Sequence, residues 1–517
     1  MIRRLFALVL FASLASGIYS LPLTDSASPE PPSPAEDGSL AGLMAIAGHG
    51  MMNSHVDNYL EELSDNIGGR VTGSPQAAQA VEWGVAKMKE IGLSNVHAEK
   101  WQMSRGWTRG SASAGLLSPI HRSLMVDSMG WVGSTPVGGV EAEVVPVNIY
   151  HLDDEVKNNS TKWTDKILLA VTKGEKPKDG GDTFSKFGPF LKAAYAAHAV
   201  AVIAGQDGSK AAGMHMTHTG VLGFDVYYEI PVVSMISEDH DQLERFLDHG
   251  KPMRIRMNVQ NVVTSGPVDS ANVVGEIPGS EHPEQVIVVG GHLDSWDLAE
   301  GTTDNGVGAT CTLGAAEAIV ASGYKPRRTI RFVLFTGEEQ GLLGSFAYVK
   351  THQAEMTNHL GDIIIDSGQG PVTSLSLGGR DDLVPAVKKF AESVKAFVDL
   401  KVDDSAEFGT DTGPFTLAGL PGINMGQDSP EYRYTHHSSA DTFDKVKAED
   451  IDKDATLMAL AAYWIAQRPE RLATPWPPEK TAKMLVDKKQ DKFLKAFGLW
   501  PFGELGSTPE NNGKPKN

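Results

Sequence analysis

Five short stretches of this chain each set a metal-type ligand beside residues suited to a buried strand: Gly291-His292-Leu293-Asp294, Thr303-Asp304-Asn305, Gly337-Glu338-Glu339, Ile365-Asp366-Ser367 and His436-His437. Together they supply imidazoles and carboxylates, the donor set for two divalent cations that share a bridging carboxylate. Zn²⁺ takes both donor types, and a catalytic site keeps a position open for water. In this reading Asp304 is the bridge, His292 and Asp366 complete one ion, and Glu339 and His437 complete the other. Glu338 is left unligated beside them. A carboxylate there can take a proton from the bridging water and pass it to a leaving amine. Asp294 orients the His292 imidazole from behind. Each motif alone has a plainer reading: a chance His-x-Asp, a solvated Glu-Glu turn, an Asp304 N-cap, an Asp366 turn. Their joint occurrence points to a two-metal hydrolase.

Such ligands have to be carried to one place. Apolar runs at 285–289, 329–335, 361–365 and 422–425 alternate with helical patterns at 305–322, 344–351, 382–398 and 448–467. Continuous Val/Ile runs separated by helices predict an α/β fold with a mostly parallel central sheet flanked by helices. In open parallel sheets, sites form outside the carboxyl ends of the strands. His292, the Glu338-Glu339 pair, Asp366 and His437 each follow one of these strands, and Asp304 opens the helix after the first.

Upstream, Ser74-Pro75 starts a helix with the stripe Val81, Val85, Met88, Ile91 and a stop at Gly92. A strand follows at 96–101. Residues 126–265 change texture: short strands at 142–147, 166–171, 200–204 and 230–236, with a helix at 189–198, predict an inserted α/β module that carries none of the five motifs. The predicted organisation is a signal peptide (1–20), a flexible leader (21–44), the N-terminal part of a catalytic domain (45–125), the insertion (126–265), the metal-binding part (266–468) and a Pro/Lys-rich extension (469–517), docked or loose.

The N-terminus supports the first of these. Met1-Ile2-Arg3-Arg4 precedes an apolar run at 5–15, then small, polar and Pro-rich residues. The apolar run is shorter than the roughly 20 residues that span a bilayer. It therefore predicts export, secreted or periplasmic, with no stable membrane insertion. The formal charge of −19, from 46 Lys and Arg against 65 Asp and Glu, argues against nucleic acid as a partner. The single cysteine, Cys311, excludes an internal disulfide and reads as a packing thiol. Asn158 and Asn159 fit glycosylation sequons, which chance also produces.

Jointly, His292-Leu293-Asp294, Asp304-Asn305, Glu338-Glu339, Asp366 and His437-Ser438-Ser439-Ala440-Asp441-Thr442 resemble the M28 family of cocatalytic zinc exopeptidases. The order matches, with spacings of 12, 35, 27 and 71 residues from His292 through Asp304, Glu339 and Asp366 to His437. The ligand His of that family stands four residues before an Asp-Thr pair, which selects His437 over His436. The paired histidines and the insertion look most similar to the carboxypeptidase Q group. The resemblance covers roughly residues 45–467. It implies two Zn²⁺ per chain, a cis bond between Asp304 and Asn305, an insertion of the protease-associated type, and a homodimer as one option.

One position departs from the pattern. Several family members carry a Tyr before the ligand His, where it holds the tetrahedral intermediate. Here that position is His436, whose N–H can do the same work, while Tyr432 and Tyr434 stand near as alternatives. The expected activity is hydrolysis of dipeptides or short peptides with free termini, by a metal-bridged hydroxide with Glu338 as base. An aminopeptidase on longer peptides is the alternative, and a receptor-like protein that has lost catalysis is a further one. Arg380 and Arg433 are candidates to hold a substrate carboxylate. His352 and His359 read as surface residues, and His215 and His218 as structural loop residues.

Overall fold

A computed structural model of the chain describes residues 34–175, 183–205 and 215–503. The expected signal peptide, most of the leader and the end of the extension lie outside these residues.

Side chains of Val286 to Val289 alternate between two faces of a strand, and all four are buried. On one face Ile287, Val289, Phe332 and Ile363 pack with apolar residues of helices Val307–Ser322 and Ala448–Gln467. On the other, Val286, Val288, Val333 and Ile364 meet Tyr348 and Phe415. Burying one such side chain contributes about 1.5–3 kcal/mol, against a net of about 1 kcal/mol for a ladder hydrogen bond. Packing on both faces therefore sets the register.

This sheet has eight strands in the spatial order Ser94–Met103, Val268–Ile277, Arg328–Phe335, His282–His292, His359–Ile364, Gly422–Gln427, Val372–Ser376, Lys401–Asp403. It is mixed, which corrects the expectation of a mostly parallel sheet. The pairings of His282–His292 with both neighbours and of His359–Ile364 with Gly422–Gln427 are parallel. Val268–Ile277 is antiparallel to both its neighbours, and Val372–Ser376 is antiparallel to Gly422–Gln427. An unbroken apolar run reports that both faces are covered and is silent about strand direction.

The helix Pro75–Ile91 begins and ends as expected: Ser74 Oγ accepts from the Ala77 N–H at 3.1 Å, and Gly92 stops it in the left-handed conformation at φ 95°. The pattern at 382–398 forms a shorter helix, Val384–Ser393. His359 corrects the surface reading. It opens its strand fully buried, with Nε2 3.0 Å from the Tyr348 hydroxyl.

A second eight-stranded sheet draws its strands from Ala112–Ser118 through Arg254–Val259. Strands Val140–Asn148, Ile167–Val171, Ala201–Ala204 and Val232–Met235 run parallel within it. The chain enters and leaves beside an antiparallel pair, Trp107–Thr108 with Val262–Val263. The described part of the C-terminal extension, to residue 503, is docked. Its helices Pro478–Asp487 and Asp491–Ala496 bury Leu485 and Leu494 against Phe408, and the Trp476 N–H donates to the Gly419 carbonyl at 2.8 Å. Cys311 is fully buried. Among the described residues no helix is long and apolar enough to cross a membrane.

Candidate metal centre

Gly291, next to the end of its strand, abuts the start of helix Val307–Ser322, where an added Cβ would lie 2.6 Å from the Gly308 carbonyl carbon. This close approach sets His292 beside the helix start. A cis bond joins Asp304 to Asn305. The Asn305 side chain accepts from the Gly308 N–H and donates to the Ile365 carbonyl, both at 2.8 Å. The helix start is thus tied to the strand end that carries Asp366.

The five predicted ligands come together. His292 Nε2 lies 3.3 Å from Asp304 Oδ1 and 3.3 Å from Asp366 Oδ1. His437 Nε2 lies 3.2 Å from Asp304 Oδ2 and 2.9 Å from Glu339 Oε2. Asp304 is shared by two possible ligand clusters, one with His292 and Asp366 and one with His436 and His437. Donor atoms about 2.1 Å from one tetrahedral ion stand about 3.4 Å apart, close to the spacing seen. Asp304 Oδ2 and Glu339 Oε1 are buried without a hydrogen-bond partner. Orphaned buried carboxylate oxygens are costly unless a cation takes them. The donor set therefore fits two divalent ions.

The electrostatics agree. Burial disfavours the charged imidazoles, but the carboxylates around them outweigh it and hold His292 and His437 well above the usual range. Burial alone would raise Asp304, yet the His292 and His437 imidazoles keep it well below its ordinary value. Burial lifts Glu339 to about 7, with Asp304 adding and His437 opposing. The imidazolium charge sits where a bound cation would otherwise supply it.

Glu338 lies half-buried beside this group, its Oε2 3.9 Å from His292 Nε2. Burial, with Asp366 and Glu339 adding, holds its carboxyl well above the ordinary range. Its N–H donates to Asp294 Oδ1 at 3.3 Å, and Asp294 Oδ2 accepts from the Thr72 hydroxyl at 2.9 Å. His292 Nδ1 lies 2.9 Å from the Asp294 carbonyl and 3.7 Å from its carboxylate. Asp294 thus touches the imidazole through its main chain and the Glu338 loop through its side chain. His436 is half exposed, stacked on the His437 ring at 3.8 Å, with Nε2 3.7 Å from Asp304 Oδ2. Tyr432 packs edge-on against it at 5.1 Å.

Several supporting residues escaped the sequence reading. Arg70 is fully buried and donates to the Leu293, Gly68, Glu300 and Gly301 carbonyls at 2.7–2.9 Å. Asp441 accepts from the Thr303 N–H at 2.5 Å and the Asp304 N–H at 3.3 Å. The second sheet's module reaches in as well. The Thr219 N–H donates to the His437 carbonyl at 2.8 Å, the Ser439 N–H to the Thr217 carbonyl at 3.1 Å, and His218 bridges Ser438 between them. His218 is thereby a loop residue clasping the ligand segment, while His215 is exposed. Only the Asp441-Thr442 pair carried any sequence signal, as a spacing marker.

A cleft of about 910 Å³ rises from Asp304, Glu338, Glu339, Asp366 and His437, with walls from both sheets' modules and the C-terminal extension. Arg433 lines it. Arg380 does not: it is buried against Asp382 at 2.9 Å and the Trp476 ring at 4.5 Å.

The family model for peptidase family M28 matches residues 272–462. Carboxypeptidase Q from Mus musculus is 30% identical over 432 residues, covering 83% of this chain and 89% of its own length. The structure of a peptidase M28 precursor from Shewanella amazonensis SB2B superposes with a TM-score of 0.74 at 28% identity, over 86% of this chain and 100% of that one. A zinc aminopeptidase from Bacillus subtilis shares the fold, with a TM-score of 0.63 at 21% identity over 82% of this chain and 97% of its own. With the ligand geometry, these matches show that the chain belongs to peptidase family M28 and is a zinc-dependent metallopeptidase.

Proposed function

We propose that the chain is an exported dizinc exopeptidase that hydrolyses dipeptides or short peptides with free termini. The observation that carries this reading is the convergence of five candidate ligands, two of them with orphaned buried oxygens, beside a further carboxylate, Glu338. His292, Asp304 and Asp366 would hold one Zn²⁺, and Asp304, Glu339 and His437 the other. Bound zinc supplies Lewis acidity at the peptide carbonyl and activates water. Glu338 takes the proton from the attacking water at its carboxylate and returns it to the leaving amine. Its main chain, held by Asp294, fixes the carboxylate for both steps. His436, at the cleft surface beside His437, donates an N–H to the developing oxyanion. Arg433 offers a guanidinium to a substrate's terminal carboxylate. The insertion, placed at 126–265 by its texture, is proposed to be a protease-associated-type module whose Thr217–Thr219 segment steadies the His437 loop.

The cleft is larger than a dipeptide fills. This volume supports a second reading, an aminopeptidase on longer peptides. A panel of free, N-blocked, C-amidated and longer peptides separates the two. The first reading expects loss of activity on blocking either end, and an Arg433→Ala variant with raised KM only for substrates with a free carboxylate. Equal turnover of amidated and free peptides overturns it in favour of the second. A purified protein without stoichiometric zinc overturns both.

A further inference from the structure

The C-terminal extension reaches the cleft. Its helix Asp491–Ala496 presents Phe493, which lines the same cavity as Glu338 and the metal ligands. Two other rings line that cavity from distant parts of the chain: Phe224 from the second module, and Phe408 from the loop before the helix Thr412–Leu417. The three form a continuous apolar wall. Phe224 stands 6.4 Å from Phe493 and 4.8 Å from Phe497, centroid to centroid. Phe408 is buried in one cluster with Leu485 and Leu494, and Phe493 packs against that cluster.

The wall is locked to the loop that carries Glu338. The Asp225 N–H donates to the Gln340 carbonyl at 2.9 Å. Gly341 lies so close to the Phe224 ring that an added Cβ would be 2.5 Å from its Cγ. Phe408 and Leu342 meet over Gly413. The extension itself is fastened by the Trp476–Gly419 main-chain bond and by Lys488 on Asp404 at 2.7 Å. Phe493 remains partly exposed although apolar neighbours surround it. Exposed aromatic surface held rigidly beside a reactive centre is what an apolar ligand group needs.

We infer that Phe493, Phe224 and Phe408 form a substrate subsite, completed by the C-terminal extension, for a large apolar or aromatic side chain on one of the two residues flanking the scissile bond. This inference rests on the peptidase reading above. It makes the extension a specificity element, and small side chains are poorer substrates because they leave the wall wet.

The test uses the full-length zinc-loaded enzyme and two dipeptide series, X-Gly and Gly-X, with X as Ala, Leu or Phe. In the wild type, kcat/KM for Leu or Phe exceeds that for Ala by about tenfold or more in one series, the discrimination an apolar pocket gives. Phe493→Ala brings that ratio close to one, and Phe493→Leu, which keeps apolar volume, retains most of it. A wild type without preference overturns the inference. So does a Phe493→Ala variant that slows Ala and Phe substrates by the same factor, as a purely structural role would. If the wild type cleaves no peptide of either series, the peptidase reading falls with it; if it cleaves them and the ratio is unmoved, only the subsite falls.

Discussion

Replacing Arg70 by Met tests how the ligand loop is held. The guanidinium is fully buried and serves four main-chain carbonyls, of Leu293, Gly68, Glu300 and Gly301. Leu293 follows His292 directly, and Glu300 and Gly301 lead into Asp304. Burial lowers Arg70 to about 10, so it stays cationic at neutral pH. Met fills much of the stem's volume and satisfies none of the acceptors. Each buried carbonyl left alone costs about 1–3 kcal/mol, partly offset because the cation no longer has to be desolvated. The net loss expected for Arg70→Met is on the order of 3–5 kcal/mol, a large share of a total of about 5–15 kcal/mol. Arg70→Lys offers donors without the planar fork and falls between. Urea unfolding at unchanged slope measures the loss, and zinc content after gel filtration measures the loop. Arg70→Met is expected to hold less zinc than wild type. Stability within about 1 kcal/mol of wild type, with full zinc, would refute the claim that Arg70 holds this loop.

Other expectations follow from the same geometry. His436→Ala is expected to keep wild-type zinc content and to lower kcat by about 10²-fold, as loss of an oxyanion donor does; loss of one zinc would instead make His436 a ligand. Asp362 is fully buried, neither of its oxygens has a hydrogen-bond partner, and burial, with Asp411 adding, holds its carboxyl well above the ordinary range. A carboxyl raised on folding binds its proton more tightly in the folded state, so its contribution is fullest below the unfolded value of about 4 and is lost as pH rises through the folded value. Wild type is therefore expected to lose stability relative to Asp362→Asn as pH rises from about 4 toward the raised folded value, and parallel urea-midpoint profiles would contradict this.

The candidate ligands were readable because four of them end or follow a strand and Asp304 opens the helix after one, where sequence pattern and site geometry coincide. The inner strands were readable for the same reason, since both their faces are apolar, whereas Val268–Ile277, Val372–Ser376 and Lys401–Asp403 were not. Direction was not: Val268–Ile277 pairs antiparallel with both its neighbours, which no feature of their sequences announces. Arg70 was invisible because its partners are carbonyls, which have no residue signature. His359 looked like surface because the partners that let it be buried, the Tyr348 hydroxyl and the Glu355 carbonyl, leave no mark in its own stretch of sequence. Asp294 was expected at the imidazole and lies beside it, its carbonyl 2.9 Å from Nδ1, while its carboxylate also meets Thr72 and the Glu338 main chain. The aromatic wall joins Phe224, Phe408 and Phe493, whose separation in sequence hides their meeting.

In the proposed mechanism Glu338 moves the proton and does not hold the metal. This is tested most directly by measuring zinc content and peptide turnover on one sample of Glu338→Ala. Zinc near two per chain, as in a two-metal site, is expected with turnover abolished. Near-normal turnover, or loss of a zinc ion, would contradict it.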